Sequence, residues 1–534
     1  MPYRPSLPLS RRLLLGAGAA LGAGVLSAPR VAHAQRSNIL RFVPHADLAV
    51  LDPIFTTAAV TSNHAMMVFD TLYGLDENYQ AHPQMVAGHV IEDDGLTWVL
   101  TLRGGLKFHD GEPVRARDCV ASIQRWGSRD MYGQEVIAQA NEITAPDDRT
   151  IRFRFKRPFP TLPQALGKVG SSLPVMMPER LAQTPATQQV TEMIGSGPFR
   201  FLANERMAGV RVAYERFRDY VPRPDGKTSR TAGPKMANFD RVEWNVIPDQ
   251  ATAAGALMNG EVDWVESTSS DLSPMLARGG RVKVNFGSDY YSTILRFNHL
   301  QPPFDNPAIR RALLGIIDQE AFMQAAYGTD PEGWKANVGV FSADSPLAND
   351  AGLEKLGNPP DFAKVRQNLK EAGYNNEKVV ILQADDYPTL RALAEVAGHM
   401  MREVGMKVEV QNGDWGTISQ RRANRESLDK GGWSAFCTGL SSTIDPAGHL
   451  ALRTNGAKAW FGWPDNPKLE ALRQDWFTAE NLAEQKRIAR EIQLQVMQEV
   501  PYIPLGEYRR LEAFSADLSG FPAGAAYFWG IKRN

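Results

Sequence analysis

From Thr97 the chain alternates apolar and polar residues, and a period of two sets Trp98, Leu100 and Leu102 on one face of a strand. Gly104-Gly105 interrupts the pattern and Leu106 and Phe108 resume it. Asp110-Gly111 then supplies the positive-φ turn that a hairpin needs, so a small antiparallel sheet is predicted here. Further on, the period lengthens to that of a helix. Asn306 as cap and Pro307 at the first helical position introduce the stripe Ile309, Leu313, Ile316 and Ile317. Leu390, Leu393, Ala394, Ala397, Met401 and Val404 mark a second helix, closed by Gly405. The strand Val379-Val380-Ile381-Leu382 precedes it and a strand from Met406 to Val410 follows. That order predicts a βαβ unit and a parallel sheet, with ligands beyond the carboxyl ends of its strands. Asn259-Gly260 ends a helix, and a strand through Val262, Asp263 and Trp264 begins. Strands and helices alternate throughout, which predicts an α/β fold.

The first residues set the compartment. Ser10-Arg11-Arg12 runs into an apolar stretch from Leu13 to Leu26, and Ala32-His33-Ala34 offers a small-x-small cleavage pattern. The apolar run is short for a bilayer and is broken by glycines and Pro29, so residues 1–34 are expected to be a removed export signal, of twin-arginine type. The glycines of this segment resemble a dinucleotide fingerprint, but no strand precedes them. About 500 residues remain, enough for several packed layers. Formal net charge is −1 with 22% charged residues, and no basic stripe nominates nucleic acid or anionic lipid. Cys119 and Cys437, each flanked by apolar residues, are expected as buried small hydrophobes, with a disulfide as the alternative. A periplasmic monomer without cofactor is expected.

No catalytic pattern emerges. GxSxG, GxxxxGK, HExxH and CxxC are missing, and the histidines stand singly, without metal-ligand spacing. Catalytic and metal-ligating residues are therefore assigned to none, and the chain is expected not to be an enzyme.

Five strings carry a family resemblance. Val68-Phe69-Asp70-Thr71-Leu72-Tyr73-Gly74 is followed by Leu102-Arg103-Gly104-Gly105-Leu106-Lys107-Phe108-His109-Asp110-Gly111-Glu112-Pro113-Val114, Gly195-Ser196-Gly197-Pro198-Phe199, Phe304-Asp305-Asn306-Pro307 and Val500-Pro501-Tyr502-Ile503-Pro504-Leu505. In this order they resemble the extracellular solute-binding proteins of family 5, the dipeptide-, oligopeptide- and nickel-binding receptors of bacterial ABC importers. The resemblance implies a two-lobed periplasmic binding protein of the Venus-flytrap type, type II, cluster C, with an extra subdomain inserted in the first lobe. It divides the chain into 35–79, the inserted 80–195, 196–296 and 501–534 for the first lobe, and 297–500 for the second. It also implies a peptide or other small-molecule ligand, an inner-membrane ABC permease as partner and no nucleic acid. A ligand-loaded receptor for a chemosensory membrane protein is the alternative of the same fold, and a secreted hydrolase that of another class.

The charged anchors of dipeptide binders are missing. Aligned on Asp445-Pro446, Ser442 stands where those proteins hold the peptide ammonium with an aspartate, and Gly439 where they have tryptophan. Ala384-Asp385-Asp386-Tyr387-Pro388 occupies the place of the arginine that grips the carboxylate. Charge-assisted hydrogen bonds of about 1.5–3 kcal/mol each are thereby lost, and a cleft preferring cations or hydrogen-bond donors, through Asp385, Asp386 and Asp445, is expected. Trp415, just beyond the strand ending at Val410, is placed to stack on a ligand. The small polar residues from Thr56 to His64 suit a cleft wall and nominate Thr57, Thr61, Asn63 and His64, whereas Asp52 is expected to cap a turn. The ligand-binding candidates are thus Thr57, Thr61, Asn63, His64, Asp386, Tyr387, Trp415, Trp433, Ser442 and Asp445, with Trp433 suited slightly better to core packing than to the ligand. His109 is expected to be structural.

Overall fold

The computed structural model describes residues 38–170, 172–441 and 444–534. Residues 1–34, the expected export signal, lie outside the described residues, as does Ser442. No helix among the described residues is long and apolar enough to cross a membrane.

One mixed sheet of eleven strands organises residues 39–534. Its two longest strands, Val282–Phe297 and Tyr502–Ser515, pair antiparallel in the middle. On one side lie Trp264–Val265, Ile39–Val43, Arg241–Asn245, Arg211–Arg216 and Phe199–Phe201; on the other, Ala435–Leu440, Lys378–Ala384 and Lys407–Gly413. The two long strands thus connect two α/β halves, and each half has its own core. Phe42, Trp244, Trp264 and Phe528 fill the first. Leu313, Phe322, Leu393, Ala397 and Ile503 fill the second.

The local patterns fold as their periods dictate. Lys378–Ala384, helix Pro388–Glu403 and Lys407–Gly413 form the βαβ unit, with the two strands parallel and Gly405 at φ +86°. Asn306 caps Pro307–Leu313 by accepting the Ala308 N–H. Thr97–Leu102 lies in an antiparallel four-stranded sheet with Trp98, Leu100 and Leu102 buried. His109 is buried between the Gly195 N–H and the Gly197 carbonyl, and burial lowers its pKa to about 4 against the opposing Gly197 bond. Cys119 and Cys437 are free and buried. Asp52 does cap a turn, through the Ile54 N–H, and is also ion-paired to Arg125 at 2.7 Å. The apolar cluster around Trp126 and Phe155 extends across to Trp476 and Phe477, where the Tyr132 and Phe477 rings lie 5.4 Å apart.

Candidate functional site

Two adjoining cavities open where the halves face each other, and Tyr79, Val169 and Ile444 line both. The first encloses about 780 Å³ counted to its open mouth, between Tyr132, Thr161 and Lys168 on one side and Leu347, Asp445 and Trp476 on the other. The second, about 720 Å³ on the same measure, is walled by Asn63, Asp289, Tyr290, Tyr291, Arg510 and Tyr527, with Ser342 and Ser441 opposite.

The central strands position the second cavity. Tyr291 pairs with Tyr508, and an irregularity between Phe286 and Tyr290 re-aims the residues beside it, as extra residues in a ladder do. Alternation along Tyr502–Ser515 sends Tyr508, Arg510 and Glu512 to one face. Behind Arg510 stands Glu266, directly after the strand Trp264–Val265 and 1% exposed. Its Oε1 accepts from Arg510 at 2.6 Å and from Asn63 at 2.9 Å. Its Oε2 accepts the His45 backbone N–H at 2.9 Å and lies 2.7 Å from the His45 ring. Burial by itself would raise the Glu266 pKa, but His45 and Arg510 outweigh it and hold the carboxyl at about 2. Glu512 shows the converse: burial, reinforced by Glu266, raises it to about 8. The guanidinium of Arg510 lies 4.5 Å over the Tyr291 ring. Asp289 is held from behind in the same manner, by Arg230 at 2.6 and 2.8 Å, and Arg230 in turn stacks 4.4 Å from the Tyr79 ring.

Two sequence candidates reach this seam, while Tyr387 and Trp415 line neither cavity. Asn63 lies in the wall of the second cavity and Asp445 in that of the first. Asp445 accepts the N–H groups of Ala447 and Gly448, and burial raises its pKa against these bonds and Lys168. Tyr387 stands near the Arg510–Glu266 pair: burial and the Tyr508 phenol raise its pKa, Arg510 lowers it and Glu266 adds to the rise. Its ring is 5.9 Å from that of Trp415. Trp415 is half-buried and packs under Arg422, whose guanidinium lies 4.8 Å over it.

Other candidates are corrected. Residues 56–64 do not form a continuous wall of small polar side chains: Ala59–Val68 is a helix, and it presents Ala59, Ser62, Asn63 and Met66 to the cavity at helical spacing. Thr61 and His64 therefore turn inward. Thr61 donates to the Val50 carbonyl and His64 bonds Tyr214, its pKa lowered to about 3 by burial and then by Arg206. Thr57 is exposed and lines neither cavity. Trp433 is fully buried against Phe436 and Trp463, which makes it a core residue. Asp385 and Asp386 are exposed and line neither cavity; Asp386 instead accepts the Trp415 N–H at 2.7 Å.

Arg510, Glu266, Asp289, Tyr79 and Tyr291 were not foreseen. The one local signal was the alternation of Tyr508, Arg510 and Glu512 beyond the Val-Pro-Tyr-Ile-Pro-Leu string. Among the described residues, no group of three His, Cys, Asp or Glu is placed to hold a metal ion.

Residues 80–459 match the pattern described as bacterial extracellular solute-binding proteins, family 5 middle. The chain belongs to this family. A probable peptide ABC transporter periplasmic-binding protein of Sinorhizobium fredii, y4tO, is 40% identical over 99% of this family 5 protein and 100% of the relative. Two solved structures share its fold. The binding protein AgaA of A. tumefaciens, in complex with agropinic acid, superposes with a TM-score of 0.77 at 19% identity, over 93% of this chain and 99% of that one. A dipeptide-binding protein of Pseudoalteromonas, in complex with Met-Leu, gives 0.76 at 21% identity, over 93% and 100%. The fold is that of type II periplasmic binding proteins, a family of solute binders rather than of enzymes.

Proposed function

We propose that this family 5 protein is the periplasmic receptor of an ABC importer, which encloses a peptide-like or other small solute between two lobes and delivers it to an inner-membrane permease. The observation that carries the reading is the pair of adjoining cavities, walled on one side by residues 59–173, 289–291 and 510–527 and on the other by residues 342–347 and 441–485. The lobes are taken to be residues 35–296 with 501–534, including the inserted 80–195, and residues 297–500. The names of the y4tO relative and of the Met-Leu and agropinic acid complexes favour a peptide or an opine-like acid as cargo. The protein is taken to act as a monomer, without catalysis.

Closure is favoured by whatever the shut form gains over the open one. The contacts of Tyr132 with Phe477, of Arg453 with Gln134 at 2.7 Å and of Gln474 with Glu135 at 3.0 Å all join the inserted segment to the opposite half. A ligand filling the cavities adds to these. The mature protein is expected to show a saturable tryptophan fluorescence change with its ligand, recovered chemically unaltered. Stoichiometric product formation would sink the receptor reading.

Export is a separate expectation. Replacing Arg11 and Arg12 by lysine should abolish periplasmic accumulation if the twin-arginine route is used. Undiminished periplasmic yield would reject that route and leave secretion intact.

A further inference from the structure

Of the two sides of the second cavity, the first-half wall carries a charge of each sign, and the two are not equally committed. Asp289 is engaged through both carboxylate oxygens by the fork of Arg230. Arg510 is engaged on one nitrogen. Its Nη1 meets Glu266 and approaches His45, whereas Nε and Nη2 make no hydrogen bond to any described residue and are not sealed away from solvent. The guanidinium is therefore fixed from behind by a buried carboxylate, stacked on Tyr291, and open along its other edge. Glu266 spreads its charge over Arg510, Asn63 and His45, so the ion pair does not exhaust the attraction of Arg510 for a second anion. A planar, preorganised guanidinium edge matches a carboxylate in two parallel hydrogen bonds.

A second guanidinium among aromatic rings is that of Arg422, in the second half. Its guanidinium lies within 5.9 Å of the ring centroids of Trp415, Phe436, Trp460 and Phe461, and it lines neither cavity. Lys168, on the wall of the first cavity, is tied to Asp130 at 2.7 Å.

We infer that Arg510 receives a carboxylate of the transported solute in the second cavity, with Glu266 as the residue that positions it. This deepens the receptor reading proposed above and rests on it. It also reverses the cation preference expected from sequence. The second-half arginine of dipeptide binders is missing, but a cation from the C-terminal strand stands at the cavity instead.

Calorimetric titration of the mature protein tests this with a panel of free-acid di- and tripeptides, the same peptides as C-terminal amides, opine acids, amines, sugars and inorganic phosphate. The free acids should bind at least tenfold more tightly than their amides. Arg510→Gln should bring that ratio close to one, while Arg422→Gln should leave it unchanged. Arg510→Lys, which keeps Glu266 paired but loses the fork, should retain only part of it, and unfolding scans establish that each variant is folded. An unchanged ratio in folded Arg510→Gln overturns the assignment, as does its loss in Arg422→Gln alone. Capture of phosphate in place of every carboxylic acid overturns it too, since the site would then serve another oxyanion. If the protein closes only on a neutral or cationic solute, the inference falls and the receptor reading stands. If nothing in the panel binds and no solute co-purifies, both fall.

Discussion

Replacing Asp52 by alanine is expected to cost the protein about 3–5 kcal/mol, measured by denaturant unfolding. The carboxylate is fully buried and accepts from Arg125 Nη1 and Nη2 at 3.1 and 2.7 Å and from the Ile54 and Val190 N–H groups, each at 2.9 Å. Its removal strands a guanidinium that is itself 5% exposed and that keeps only the carbonyls of Thr184 and Gln188. An unpaired buried charge costs more than the pair contributes, so adding Arg125→Met to Asp52→Ala should recover a large part of the loss. Because this pair joins the segment leading into helix Ala59–Val68 to helix Ala116–Gly127, the single variant should also weaken the solute binding proposed for the cavity that Asn63 lines. A loss below about 1 kcal/mol would mean that water enters and solvates the arginine.

Acidification from about pH 6.5 to pH 5 should lower the melting temperature steeply. His64 and His449 are held neutral with pKa values of about 3, and His109 at about 4, in each case first by burial. Arg206 adds to the lowering at His64, whereas carbonyl hydrogen bonds from Val340 and Gly197 oppose it at His449 and His109. In the unfolded chain these imidazoles take up protons below about pH 6.5, so the unfolded state binds more protons and stability falls as pH falls. Glu512, raised to about 8 by burial and then Glu266, acts in the opposite sense between its two pKa values. His299, held well below its ordinary value first by burial, acts with the other imidazoles, and stability falls by about 1.4 kcal/mol per pH unit for each proton by which the unfolded chain exceeds the folded one. Below about pH 4.5 Glu266 adds to the loss, because its folded pKa of about 2 lies beneath its ordinary value. A melting temperature that stays level or rises over this range would show that the imidazoles protonate inside the folded protein.

The elements that could be read from sequence are those whose cause is local. The antiparallel sheet at Thr97–Leu102 follows from a period of two. The βαβ unit follows from a stripe of period 3.6 closed by Gly405. Segment 56–64 failed for an instructive reason: without strong caps its helix was hidden, and Ala58 at the cap position makes no side-chain bond. Its polarity was legible but not its phase: Asn63 faces the second cavity, whereas Thr61 and His64 bond inward.

The candidate site was hidden for another reason. Asn63 and Arg510 meet at Glu266 from 203 and 244 residues away, and His45 from 221. No periodicity spans such distances. Asp385 and Asp386, beside the βαβ helix, looked like the charges of the cleft because they stand in the aligned place, yet both are exposed. By itself the sequence determined the family, the α/β class, the main local elements and the absence of a catalytic signature, because each depends on neighbours along the chain. Which charges line the cavities, and which of them are already neutralised, was decided only by the pairing of Val282–Phe297 with Tyr502–Ser515. That pairing brings distant strands into register, and burial beside them fixes the partner of Arg510 and the protonation of Glu512.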